Sequence, residues 1–185
     1  PVRPSHVQRI ALIQKLDKLR AHKLALIVAS AGYGKTALVS EWIAQCPLKV
    51  AWFSIDAGDN DPVRFWDYVI AAIQTAYPDI GEQPLMLLHE PQPLPIETIL
   101  STLINEFSVL PDLLVLVLDD YHIIESSAIH EGLAFLVEHM PAQMRLIMTT
   151  RTDPPLPLAR MRARSQLLEL RSADLRFSPS QIATF

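Results

Sequence analysis

Residues Ala29-Ser30-Ala31-Gly32-Tyr33-Gly34-Lys35-Thr36 fit the phosphate-binding loop pattern G-x-x-x-x-G-K-[ST] except at its first position, where Ala29 stands for glycine. A loop of this kind wraps backbone N–H groups around phosphate oxygens. Gly32 and Gly34 supply the backbone freedom that such close approach needs. Lys35 reaches the β- and γ-phosphates as a point charge, and the Thr36 hydroxyl ligates Mg²⁺. Ala31, Gly32, Tyr33, Gly34, Lys35, Thr36 and Ala37 are therefore the expected nucleotide-binding residues. The flanks agree. Leu24 to Ala29 (LALIVA) is a short apolar run of the sort buried on both faces of a parallel sheet. From about Thr36 onward, Leu38, Val39, Trp42, Ile43 and Cys46 make one helical stripe, and that helix brings the positive end of its dipole to the loop. A glycine-containing turn with a merely solvated lysine is the alternative, and the strand–loop–helix setting argues against it.

The most apolar run in the chain, Leu113 to Leu118 (LLVLVL), ends in Asp119-Asp120. This is the form of a Walker B strand. Asp119 is expected to hold Mg²⁺ through its water shell, and Asp120 to orient the attacking water. For Asp120 a solvated turn residue is the competing assignment. Arg151 directly follows a further strand, Arg145 to Thr150 (RLIMTT). Ligands of parallel α/β sheets sit at the carboxyl ends of the strands, so Arg151 is expected to sense the γ-phosphate. Its alternative is an ion pair with Asp119, Asp120 or Asp153. Asp120, Lys35 and Arg151 are thus the candidate catalytic groups, and Thr36 and Asp119 the candidate metal ligands.

The remaining sequence supplies the scaffold. Lys49 to Ile55 and Gln166 to Leu170 read as two more strands. Asp61-Pro62 starts a helix whose Trp66, Val69, Ile70, Ile73 and Tyr77 share a face. Ile96 to Phe107 and the segment from Ser127 to Met140 carry helical spacing, and a short helix spans Leu158 to Ala163. Five prolines and Gly81 between 78 and 95 predict a surface loop or linker. Alternating strands and helices imply α/β architecture: a three-layer P-loop NTPase sandwich around a mainly parallel sheet of about five strands. The Ser178-Pro179-Ser180-Gln181 segment has the form of a capping box whose helix is cut at Phe185. Residues 1–185 are accordingly expected to be one nucleotide-binding domain from the N-terminal part of a longer chain.

Composition removes other classes. Half of the 185 residues are hydrophobic and 19% are charged, which excludes intrinsic disorder. Sixteen basic against 20 acidic residues give a net charge of −4, which argues against a basic nucleic-acid face over the whole domain. The arginines at 160, 162, 164, 171 and 176 are read as a solvated or salt-bridged face. No apolar run reaches the ~18 residues of a membrane span. The single cysteine, Cys46, leaves no internal disulfide or zinc framework and fits a reducing, cytoplasmic compartment. His130-Glu131 starts like a zinc-protease helix, but position 134 is Ala. The absence of an Asn-Lys-x-Asp motif favours adenine over guanine.

Taken together, Ala31 to Thr36, Trp52-Phe53-Ser54-Ile55-Asp56 with Gly58-Asp59-Asn60-Asp61-Pro62, Leu118-Asp119-Asp120-Tyr121-His122 and Arg151 to Arg160 resemble the nucleotide-binding domain of MalT-like, LuxR-type transcriptional regulators of the STAND class of signalling ATPases. The resemblance extends from about Arg3 to Phe185. Ser30 departs from the family's usual Ala-Pro-Ala-Gly opening, and Ala37 stands where a second Thr is common. What the resemblance implies is a slow, regulatory ATPase. ADP holds a closed monomer, and inducer with ATP favours a self-associating form. Arg3 to Arg9 matches an entry region near the adenine. DNA is bound only through a C-terminal domain absent from this chain. The competing expectation is a P-loop enzyme with rapid turnover, an AAA-type ATPase or small-molecule kinase, with the 78–95 segment as its lid.

Overall fold

The computed structural model describes residues 10–175, so the capping box at 178–181, Arg176 and the Arg3–Arg9 region lie outside the described residues. Five strands form one all-parallel sheet: β1 (Leu24–Val28), β2 (Lys49–Ser54), β3 (Leu114–Asp119), β4 (Met144–Thr150) and β5 (Leu167–Arg171). Their spatial order is β2-β3-β4-β1-β5. All residues of β1 and β3 are buried, as continuous apolar runs require when both faces are covered.

Strand side chains alternate between the two faces. Leu24, Leu26, Leu114, Leu116, Leu118, Leu146 and Met148 join a core with α3 (Pro62–Gln74), α5 (Ile96–Ser108) and α6 (Ser127–His139). Ala25, Ile27, Val115, Val117, Ile147 and Leu168 join a second core with α1 (Ile10–Asp17) and α2 (Lys35–Ile43). These are the three layers expected from the alternation of elements. Trp42 and Trp66 are buried packing residues, whereas Trp52 is half-buried and donates to Ser54 Oγ at 2.8 Å. Among the described residues no helix is long and apolar enough to cross a membrane.

Two segments differ from the sequence-based expectation. Helix α1 and the 3-10 turn after it (Lys18–Ala21) were not anticipated, although Ile13, Leu16 and Leu19 recur at helical spacing and are buried. Residues 78–95 are not simply a loop: they contain α4 (Glu82–Leu88). Proline is tolerated in a first helical turn, where its missing N–H has no partner to lose, and Pro84 sits there, buried. Gly81 precedes the helix at φ 94°, and its N–H donates to Glu106 Oε2 of α5 at 2.6 Å. Helix α4 thus docks on α5 and does not drift as a linker. The short helix α7 (Leu158–Ala163) falls where expected, and α8 (Ser172–Leu175) follows β5.

Candidate functional site

The sheet order sets β4 between β1 and β3, so the ends of these three strands converge. Val28 of β1 stands level with Thr150, and Leu118 of β3 with Met148. The loop leaving β1 carries Gly32 at φ 83° and Gly34 at φ 67°, both in the left-handed region. A Cβ at Gly32 meets no atom within 4 Å, so glycine is needed there for its dihedral angle and not for space. Ala29 is buried and its N–H donates to Thr150 O at 3.2 Å, which ties the start of the loop to β4. An alanine is accommodated at that position because it lies in the extension of the strand.

Lys35 opens α2 and is 7% exposed. Its ammonium donates to Ala29 O at 2.8 Å and Ser30 O at 3.2 Å. Burial lowers its pKa, Arg151 adds to that effect, and Asp120 and Asp119 oppose it. The next residue, Thr36, donates from Oγ1 to both carboxylate oxygens of Asp119, at 3.1 and 3.0 Å. Asp119 is buried at the last position of β3. Thr149 of β4 completes the group. Its hydroxyl donates to Asp119 Oδ1 and accepts from the Asp120 N–H at 2.9 Å. Thr149 carries no motif and was missed by sequence reasoning; its only signal was its position one residue before the end of β4.

Asp120 leaves the strand at φ 60°, ψ 38°, a left-handed conformation that turns its side chain off the line of β3. A 3-10 turn follows (Tyr121–Ile123). It is fastened at two points: the hydroxyl of buried Tyr121 and His130 Nδ1 share a 2.7 Å hydrogen bond, and Asn60 Nδ2 donates to Ile123 O at 3.0 Å. Asn60 Oδ1 accepts from Glu125 N at 2.7 Å and Ser126 N at 3.3 Å. His130 is thus tied into the fold through Tyr121.

Arg151 is exposed just past β4, close enough to Lys35 and His122 to lower both their pKa values. Among the described residues it makes no ion pair. Asp153 pairs with Arg171, which also bonds Glu169. Arg162 pairs with Glu169 at 2.7 Å and Arg160 with Glu138 at 2.8 Å, so the arginine-rich end is a salt-bridged face. Within the loop Tyr33 is half-buried, and Ala31 and Ala37 are exposed.

A lysine-bearing glycine loop, a threonine hydroxyl against a buried carboxylate and a second acid, gathered at the carboxyl ends of the three central strands, can hold a phosphate chain and a divalent cation. Solved structures share the fold. Cdc6p of Pyrobaculum aerophilum matches with a TM-score of 0.57 at 17% identity, over 97% of this chain and 50% of that one. The Walker-type ATPase paby2304 of Pyrococcus abyssi matches with a TM-score of 0.57 at 15% identity, over 98% of this chain and 58% of that one. The fold is that of the P-loop ATPases. No family model matches the chain. In sequence it is MalT-like: it is 39% identical over 186 aligned positions to the HTH-type transcriptional regulator MalT of Cronobacter sakazakii, a match that takes in all of this chain and 20% of the regulator. The chain therefore spans about one fifth of the length of the curated relatives it matches.

Proposed function

We propose that this chain is the ATP/ADP-binding module of a MalT-like, LuxR-family regulator of the STAND class, and that it acts as a nucleotide-dependent switch with slow hydrolysis. The observation that carries the proposal is the bridge from Thr36 to Asp119, formed across β4 beside the lysine-bearing loop. These two groups would hold Mg²⁺ in the bound state, and the ion would neutralise phosphate charge there. The donor set fits that ion, since hydroxyl and carboxylate oxygens are hard ligands.

The chain's own residues divide the remaining work. The N–H groups from Ala31 to Ala37 cradle the phosphates, with α2 behind them. Lys35, now satisfied by two carbonyls, exchanges those contacts for phosphate oxygens. Asp120, turned off the strand, accepts a proton from the attacking water or orients it. Arg151, without an ion-pair partner among the described residues, meets the γ-phosphate and so distinguishes ATP from ADP. Self-association in the ATP state, and DNA binding through a part of the regulator outside this chain, complete the proposal. Residues 1–185 carry the nucleotide step alone.

Isothermal calorimetry of wild type and Lys35→Ala tests the reading. Loss of a charge-assisted contact typically costs about 1.5–3 kcal/mol, so ADP and ATP affinity should fall tenfold or more. Equal affinities would refute it. Turnover separates a switch from a metabolic enzyme, which usually runs at roughly 1–1,000 per second. A rate in that range would overturn the switch assignment while leaving nucleotide binding intact.

A further inference from the structure

His122 lies three residues beyond Asp119, in the 3-10 turn that starts at Tyr121. Its Nδ1 is buried and has no hydrogen-bond partner among the described residues. Buried polar atoms are nearly always paired, and an exception inside a charged site calls for an explanation. One other side-chain atom among the described residues shares this condition, Trp66 Nε1. That atom belongs to α3, whose indole packs against α6 beside Gly132, in the apolar core. His122 is different, because the charged groups around it are those of the nucleotide site: Arg151, Asp120, Lys35 and Asp119.

The nearest carboxylate oxygen is Asp120 Oδ1, 3.7 Å from Nδ1. A closure of roughly 0.5–1 Å brings this pair to hydrogen-bond distance. Asp120 is free to make that movement, since its side chain is 43% exposed, against 15% for His122. The imidazole is not free. Tyr121 on one side is anchored to His130, and the Ile123 carbonyl on the other is anchored by Asn60. Burial lowers the pKa of His122, and Arg151 lowers it further, so the ring is neutral near pH 7 and one of its two nitrogens can donate. Catalytic hydrogen bonds are often long in the free protein and tighten in the complex.

We infer that His122 is a positioning residue: its Nδ1–H holds one oxygen of the Asp120 carboxylate when ATP is bound, leaving the other directed at the attacking water. No proton is transferred to the ring. The inference rests on the proposed hydrolysis of ATP at this site and adds to it the group that fixes the orientation of Asp120.

The geometry distinguishes the two ring nitrogens, and substitution can separate them. An Asn side chain sets its amide nitrogen near the position of Nδ1, whereas Gln reaches toward Nε2. Single-turnover hydrolysis and ATP and ADP affinities should be measured for wild type, His122→Leu, His122→Asn and His122→Gln. Leu is expected to slow hydrolysis by about tenfold to a hundredfold, the range for a hydrogen bond to a charged group, with both affinities unchanged. Asn should restore most of the rate and Gln should not. Wild-type hydrolysis by His122→Leu overturns the inference alone. So does equal behaviour of Asn and Gln, a comparison that stands even if the Leu variant fails to fold. Failure of the wild type to bind ATP, or to hydrolyse it, overturns the switch reading and this assignment together.

Discussion

Asn60 fastens the loop after β2 to the loop after β3, and Asn60→Ala is the most direct test of how the site is held. The side chain makes two well-formed hydrogen bonds to the loop after β3, to Ile123 O at 3.0 Å and from Glu125 N at 2.7 Å, and a longer third from Ser126 N at 3.3 Å, beside a marginal local contact to Ala57 O at 3.4 Å. Asn60 is itself fixed by its neighbours. Asp56 and Asp59 form a capping box around the 3-10 turn Ala57–Asn60, Arg64 bonds buried Asp59 at 3.1 Å, and Asp61 caps α3 through Arg64 N at 2.9 Å. Little entropy is therefore lost in forming the latch. Each bond contributes about 1 kcal/mol net, and the third is weak, so Asn60→Ala should destabilise the protein by about 2–3 kcal/mol. For a chain of this size that corresponds to a fall in melting temperature of roughly 4–12 °C. Asn60→Asp retains the two acceptor contacts, loses the donor to Ile123 O, and should cost about half as much. Urea titration of the three proteins measures these differences. Hydrolysis should fall in both variants, because the turn bearing His122 loosens, while ADP affinity should hold, because Lys35 and Thr36 are on other elements. An Asn60→Ala protein within about 0.5 kcal/mol of wild type, the usual range for a surface change, would refute the latch.

Four further outcomes are expected. Asp119→Asn should weaken Mg²⁺-dependent nucleotide binding about tenfold or more, whereas Asp120→Asn should leave binding intact and slow hydrolysis; calorimetry beside a phosphate-release assay separates them. Arg151→Ala should lower ATP affinity more than ADP affinity, and equal losses would instead point to a structural role for the guanidinium. Gly81→Ala adds a side chain at a left-handed dihedral and drives its Cβ into Ile70 Cγ2, so a loss of about 1–3 kcal/mol is expected in thermal melting. Hydrogen bonds from Arg162 and then Arg171 hold the Glu169 carboxyl down to about 2 from an ordinary 4.5. Its contribution is complete above pH 4.5 and is lost as pH falls toward 2. These partners are water-exposed, so it amounts to no more than about 1 kcal/mol, and the stability gap between wild type and Glu169→Gln should close over that interval.

Local chemistry made much of the molecule legible from its residues. Both fully buried strands, β1 and β3, are short apolar runs of the kind a parallel sheet covered on both faces requires, and the glycines, lysine and threonine between β1 and α2 have a backbone reason to be adjacent. Cap chemistry likewise located α3, because Asp61 and Pro62 act on their own helix terminus. Residues 78–95 misled for a related reason: prolines at a first helical turn and in a loop look alike until the packing of α4 on α5 is known. Strand order is another matter. Nothing in the periodicity of β4 requires it to stand between β1 and β3, yet that insertion sets Thr149 against Asp119 and lets Thr36 reach the carboxylate across the sheet. Asn60 and His122 were visible as residues and as parts of a resemblance, but their roles depend on partners in other loops. Periodicity, capping and glycine chemistry act over a few residues and are written in the chain. Pairing between distant strands is decided by how whole faces bury together, and only the folded sheet brings these hydroxyl, amide and imidazole groups to one place.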